Sequence, residues 1–199
     1  SEDDAVAIGI DSQNNVYVTG NTYSSSIRVS TLKYDANGNQ LWVRGYADSI
    51  LSPNINVNDM KVDKYGNVFL VCSDYTYYSR AGEIIKYNTN GNIEWISKYY
   101  RGAYDVNSLI SIDLDSQGNV YATGYTKDSG SAFSDFLTVK YNQNGILQWV
   151  ARTDQSSGDI AYCIHADDFG NVYIAGYSKA QGNLYDFKII KYNSNGIKQ

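Results

Sequence analysis

Proline and histidine each occur once in the 199 residues, and cysteine only twice. One histidine and two distant cysteines remove most metal-dependent and hydrolytic chemistry from consideration, since those sites draw on clusters of such residues. Cys72 and Cys163 have neither zinc-knuckle nor redox-pair spacing. They read as two small apolar side chains. Basic residues are also short, 16 Lys and Arg against 21 Asp and Glu, a formal net charge of -5. A nucleic-acid footprint needs a basic stripe, so no nucleic acid is expected as a partner. No apolar run approaches the roughly 20 residues that span a bilayer as a helix, so membrane insertion by helices is not expected either. The opening Ser1-Glu2-Asp3-Asp4 reads as the approach to a strand rather than as a basic-then-apolar leader.

Tyrosine and glycine are abundant instead, at 20 and 17 residues. Many Tyr with few breakers suits short strands joined by Gly and Asn turns. An internal repeat orders them. Asp11-Ser-Gln-Asn-Asn15, Asp63-Lys-Tyr-Gly-Asn67, Asp115-Ser-Gln-Gly-Asn119 and Asp167-Asp-Phe-Gly-Asn171 recur every 52 residues. Each leads into an aromatic strand starting at Val16, Val68, Val120 or Val172. A second register follows at Lys33-Tyr34, Lys86-Tyr87, Lys140-Tyr141 and Lys191-Tyr192, each closing on a turn at Gly38, Gly91, Gly145 or Gly196. Three of these turns place a Trp four residues beyond the Gly: Trp42, Trp95 and Trp149.

Each unit therefore reads as four short strands, in the third copy roughly 108–114, 120–125, 136–141 and 147–152. Four-stranded units at a period of 40 to 55 residues predict an all-β fold, a β-propeller of antiparallel blades. The blade boundaries fall at 1–52, 53–104, 105–156 and 157–199, with the fourth blade lacking its outer strand. The third strands, TLKY, IIKY, TVKY and IIKY, predict burial on both faces, as stacked sheets require.

The segment DSQGNVYATGYT…DFLTVKYNQNGILQW resembles the bacterial β-propeller repeat called SBBP. The Gly-x-x-x-Trp ending resembles the docking motif of quinoprotein-like propellers. The resemblance implies a secreted or cell-surface bacterial protein, with Trp42, Trp95 and Trp149 locking blade to blade. It also implies rings of six to eight blades. Four units here, with Gln199 aligned to Leu41 just short of a Trp, suggest a single β-propeller whose ring is completed by further blades or by a second copy, ahead of a closed four-bladed ring. Quinoprotein enzymes carry a vicinal Cys pair that this chain lacks, and no cofactor is expected.

The second-to-third strand and blade-to-blade connections vary in length and chemistry between copies, and both emerge at one end of the blades. Variable loops on a repeated frame are where binding sites are mounted. Blade 2 carries the most aromatic set there: Tyr75, Tyr77, Tyr78 and Arg80 from one loop, Tyr99, Tyr100, Arg101 and Tyr104 from the next. Exposed Tyr and Arg suit a glycan or a protein partner, although the same Tyr would also serve as packing between blades. The Asp/Asn/Gly turns have too few acids for a calcium loop, so no metal site is expected. No catalytic residue stands out, because His165 sits where other copies have Gly9, Lys61 and Asp113. The expected role is a non-enzymatic binding or structural module. The alternative is a glycan hydrolase or lyase, or a quinoprotein relative, using carboxylates at the channel mouth.

Overall fold

The computed structural model describes residues 3–23, 28–47, 54–75, 79–153, 158–179 and 184–199. Among these residues the regular structure is all β, fifteen strands without a helix. The first unit comprises β1 (Asp3–Ile10), β2 (Val16–Thr22), β3 (Val29–Tyr34) and β4 (Gln40–Tyr46). The second comprises β5 (Ile55–Val62), β6 (Val68–Tyr75), β7 (Arg80–Tyr87) and β8 (Ile93–Tyr99). The third comprises β9 (Val106–Leu114), β10 (Val120–Lys127), β11 (Asp135–Tyr141) and β12 (Leu147–Thr153). The fourth has β13 (Asp159–Ala166), β14 (Val172–Lys179) and β15 (Tyr185–Tyr192), followed by an isolated bridge between Tyr192 and Lys198.

Within each unit consecutive strands pair antiparallel in chain order. The sequence repeat predicts separate sheets, but the second and third units are joined by one parallel bridge, Arg80 to Val106. Its cause is local: the Arg80 amide donates to the Asp105 carbonyl at 3.1 Å, where the connection from β8 passes the start of β7.

The 52-residue period has a hydrogen-bonded basis in the first turn of each unit. The Asp11 carboxylate accepts from the Gln13 and Asn15 amides, and the Asn15 side chain donates back to it. Asp63, Asp115 and Asp167 make the same set. These self-bonding side chains fix the turn and hence the strand register after it. The turn needs one residue at positive φ, supplied by Gly66, Gly118 and Gly170, and by Asn14 at 63° in the first unit.

Three core clusters lie between consecutive units. One packs Tyr17, Val29 and Tyr46 against Ile55, Val57, Met60, Leu70 and Ile85. A second joins Phe69, Val71 and Ile84 to Leu109, Ile112 and Val139. The third joins Tyr121 and Phe136 to Ala161, Ile174 and Ile190. Stacked sheets thus share their side chains, and burial of this apolar surface is the main stabilising term. β7 and β11 are buried on both faces, as the sequence predicts for third strands. β3 alternates, and β15 is largely exposed, because each has a neighbouring unit on one face only.

Candidate functional site at the loop end of the sheets

The repeated Lys-Tyr register and the Trp residues form the frame beneath the loops. Each Lys lies over the ring at the second position of the second strand, Lys33 over Tyr17 at 5.0 Å and Lys140 over Tyr121 at 5.0 Å. The indole N–H of Trp42 donates to the Thr89 carbonyl at 3.1 Å, that of Trp95 to Gln143 at 3.0 Å, and that of Trp149 to Ser194 at 3.0 Å. In each case the acceptor belongs to the turn of the following unit. The same indoles lie against Gly91, Gly145 and Gly196, where an added Cβ would sit 2.7 to 3.0 Å from the ring. These glycines therefore serve twice, taking positive φ and leaving room for the Trp.

Above that frame, the start of β7 meets the β8–β9 connection at one end of the sheets, through Arg80 and Asp105. The Arg80 guanidinium stacks 4.0 Å over the Tyr75 ring and donates to the Tyr125 hydroxyl at 2.5 Å. Tyr100 and Tyr104 project into solvent, and Tyr104 holds a φ of 70°, an uncommon conformation for a bulky side chain. Arg101 pairs with Asp128, which Arg152 also engages at 3.0 Å. Desolvation of Asp128 is outweighed by these two guanidinium groups, so its carboxyl is held below the usual carboxylate range. The Asp105 carboxylate accepts from the Ser129 amide, tying the same loop to its neighbour.

The sequence-predicted patch is thus only partly a surface. Tyr75 and Arg80 come together, Tyr100 and Tyr104 are exposed, and Arg101 is engaged in an ion pair. Tyr99 is a correction: it is 9% exposed and packs in the second core cluster, where burial raises its hydroxyl pKa. Tyr77 and Tyr78 lie outside the described residues. Asp74, at the end of β6, is buried and ion-paired with Lys98, which also contacts the fully buried Glu83. Tyr46 of the first unit donates to Glu83 at 2.5 Å. These charges sit at a junction between units, and removing Lys98 would leave two buried carboxylates without their shared cation.

A cavity of about 340 Å³ opens beside this patch, between the first and second units. Thr22, Tyr23, Arg28, Asn54, Asn56 and Tyr75 line it. Two aromatic faces, two amides, a hydroxyl and a guanidinium give a set that donates and accepts hydrogen bonds around a flat apolar wall. Only Tyr75 of this group belongs to the sequence-predicted patch. The others were hidden because they come from two separate stretches, around the β2–β3 connection and around the β4–β5 connection, and no motif links them in the chain.

A second cluster joins residues that the repeat places in one register position. Lys61, Asp113 and His165 occupy the same position in the first strands of three successive units. Those strands lie side by side. Asp113 accepts from Lys61 Nζ at 3.2 Å, contacts His165 Nδ1 at 3.0 Å and accepts from the Ala166 amide at 2.9 Å. Asp59 likewise accepts from the Ser111 hydroxyl and the Ile112 amide. Both carboxylates stitch one first strand to the next. Among the described residues no group of three His, Cys, Asp or Glu side chains is placed to hold a metal ion.

The family model of the SBBP β-propeller repeat matches residues 1–28. No curated protein matches the chain. Among solved structures, a protein of unknown function from Dyadobacter fermentans is similar with a TM-score of 0.63 and 8% identity, covering 98% of this chain and 62% of its own. A thermostable family-43 glycoside hydrolase has a TM-score of 0.55 at 9% identity, with 100% of this chain and 73% of that one covered. A neuraminidase-like protein from A/bat/Guatemala has a TM-score of 0.53 at 10% identity, over 98% of this chain and 52% of that one. The chain spans less than two thirds of the first of these, and identities this low speak for the fold alone. Together with the repeat match they support a β-propeller architecture of antiparallel sheets.

Proposed function

We propose that this chain is a non-enzymatic binding module, four blades of a β-propeller from a bacterial secreted or cell-surface protein. It holds a glycan in the cavity between its first two units. The observation that carries this reading is the lining of that cavity. Tyr23 and Tyr75 offer flat rings for the apolar face of a sugar, while Arg28, Asn54 and Asn56 supply donors and acceptors matched to its hydroxyl groups. The exposed Tyr100 and Tyr104 extend the surface for a longer chain or for the protein that bears it. The bacterial and extracellular assignment rests on the resemblance to the SBBP repeat.

Titration calorimetry against a panel of neutral and acidic oligosaccharides tests the reading. Tyr75→Ala should weaken the best ligand by about tenfold, equivalent to about 1.4 kcal/mol, with Asn56→Ala close behind and no product formed from the bound sugar. Binding indifferent to both substitutions would reject the site.

The runner-up is a glycan-active hydrolase, favoured by one observation: Asp113 holds His165 and Lys61 in a row along the first strands. Turnover of any oligosaccharide that disappears in Asp113→Asn would promote it over the binding role.

A further inference from the structure

At each junction a residue of one unit's third strand meets a residue of the next unit's first strand, and their sizes trade against each other. Val29 and Val57 share the first core cluster. Gly82 faces Leu109 so closely that a Cβ on the glycine would lie 2.5 Å from the Leu109 Cγ. Phe136 and Ala161 share the third cluster, together with Ile174 and Ile190. Medium meets medium, smallest meets large, and largest meets small, which is how a close-packed junction conserves volume.

The strand registers assign the two remaining members of this series. Phe187 pairs with Tyr177 as Phe136 pairs with Tyr125, and Ala5 pairs with Gly20 as Ala161 pairs with Gly176. Phe187 is 75% exposed. Ala5 lines an open cavity of about 330 Å³ with Val18 and Leu32. Those three residues stand where Ala161, Ile174 and Ile190 stand around Phe136. The first unit therefore carries an empty seat for a phenylalanine, and the fourth carries a phenylalanine without a seat. Ile8 and Ile10 on the first unit and Ile189 on the fourth are exposed around them, at 60 to 70%.

We propose that Phe187 of a second copy fills this seat, so that the fourth unit of one chain stacks on the first unit of another, head to tail. The contact made twice closes a two-chain assembly, continuing the internal stacking without a new kind of interface. A Cβ added at Gly38 would meet nothing within 4 Å, whereas its counterparts Gly91, Gly145 and Gly196 each hold a Trp, so this turn of the first unit is open to a neighbouring unit as well.

Sedimentation velocity over a concentration series of the full chain tests this. The expected result is a reversible species of twice the chain mass. Phe187→Asp and Ala5→Phe, both at exposed positions, should each raise its dissociation constant at least about tenfold. Combining Ala5→Phe with Phe187→Ala should restore association, because the larger side chain then comes from the first strand, as it does for Leu109 on Gly82. Circular dichroism and thermal unfolding of each variant monitor the fold. A monomer at every concentration, or a dimer that neither single substitution weakens, overturns the proposal. So does failure of the exchanged pair to recover association while both singles disrupt it.

Discussion

Ile84 and Ile189 occupy one position in two copies of the repeat, each on a third strand opposite a small or β-branched residue of the second. The first is fully buried and the second is 63% exposed. Met60 and Ile8 repeat the contrast on the first strands, at 4% and 70%. Composition does not separate the members of either pair. What separates them is whether another unit lies against that face, so the burial of a residue here is a property of the stack and not of its own sheet. A repeat protein of this kind draws its stability from nearest-neighbour interfaces. The free faces at its two ends are chemically the same as the covered faces within.

The largest expected effect breaks the comparison directly. Ile84→Ala removes a fully buried side chain from the second cluster and should cost about 2 to 5 kcal/mol. Ile189→Ala in the monomer removes a side chain that meets mostly water, and should stay within about 0.5 kcal/mol. Urea unfolding of the two variants under dissociating conditions measures both. Equal losses would mean that the fourth unit's outer face is covered in solution even in a single chain.

Much of this frame is legible in the chain itself. The predicted third-copy strands lie within one or two residues of β9 to β12, because the Asp-Asn turn, the Lys-Tyr register and the Gly turn each mark a strand boundary in every copy. The Gly-to-Trp spacing carries further still, since the structure places each indole against the glycine of the following unit. The site was harder to read. Tyr75 and Arg80 stand close in the chain and stack as neighbours, but Tyr99, of the same residue type and exposed by loop logic, turns into the core. Tyr23, Arg28, Asn54 and Asn56 gather around a cavity only because two units stack, and stacking brings together residues that no local spacing connects. Lys61, Asp113 and His165 were separated by the repeat period itself, a signal that is visible once substitutions within one register position are read as neighbours rather than as exceptions.

A smaller effect sharpens the comparison at the turns. Gly38 and Gly145 hold nearly the same conformation, with φ of 85° and 74°. An alanine at Gly38 meets nothing, so Gly38→Ala should cost only the strain of a left-handed L-residue, about 1 to 2 kcal/mol. At Gly145 the added carbon would press on the Trp95 ring, with atoms at 2.7 and 2.8 Å. Gly145→Ala should therefore cost at least about 1 kcal/mol more, through the displaced indole. Thermal unfolding compares the two, and Trp fluorescence should shift only for Gly145→Ala.

The smallest expected difference lies in the carboxylates, where coverage should hardly matter. Asp11 sits in a turn covered by the second unit; burial opposes its ionised form, but the Asn15, Gln13 and Tyr17 donors outweigh that and hold its pKa below the ordinary value. Asp35 lies in an uncovered turn, and Asn39 lowers it through the same kind of hydrogen bonding. Asp167 is lowered as well, by Asn171 first. A carboxyl whose folded pKa lies below its unfolded value of about 3.9 binds more protons when unfolded. It therefore contributes stability that is fully present above that value and is lost as pH falls through the folded pKa. Carboxyl carbon titration by NMR should find all three below the unfolded value. The covered and uncovered turns should lose their contributions together under acid, because the donors come from within each turn. An Asp35 that titrates normally beside a depressed Asp11 would instead make the turn, like the isoleucine, dependent on the unit stacked against it.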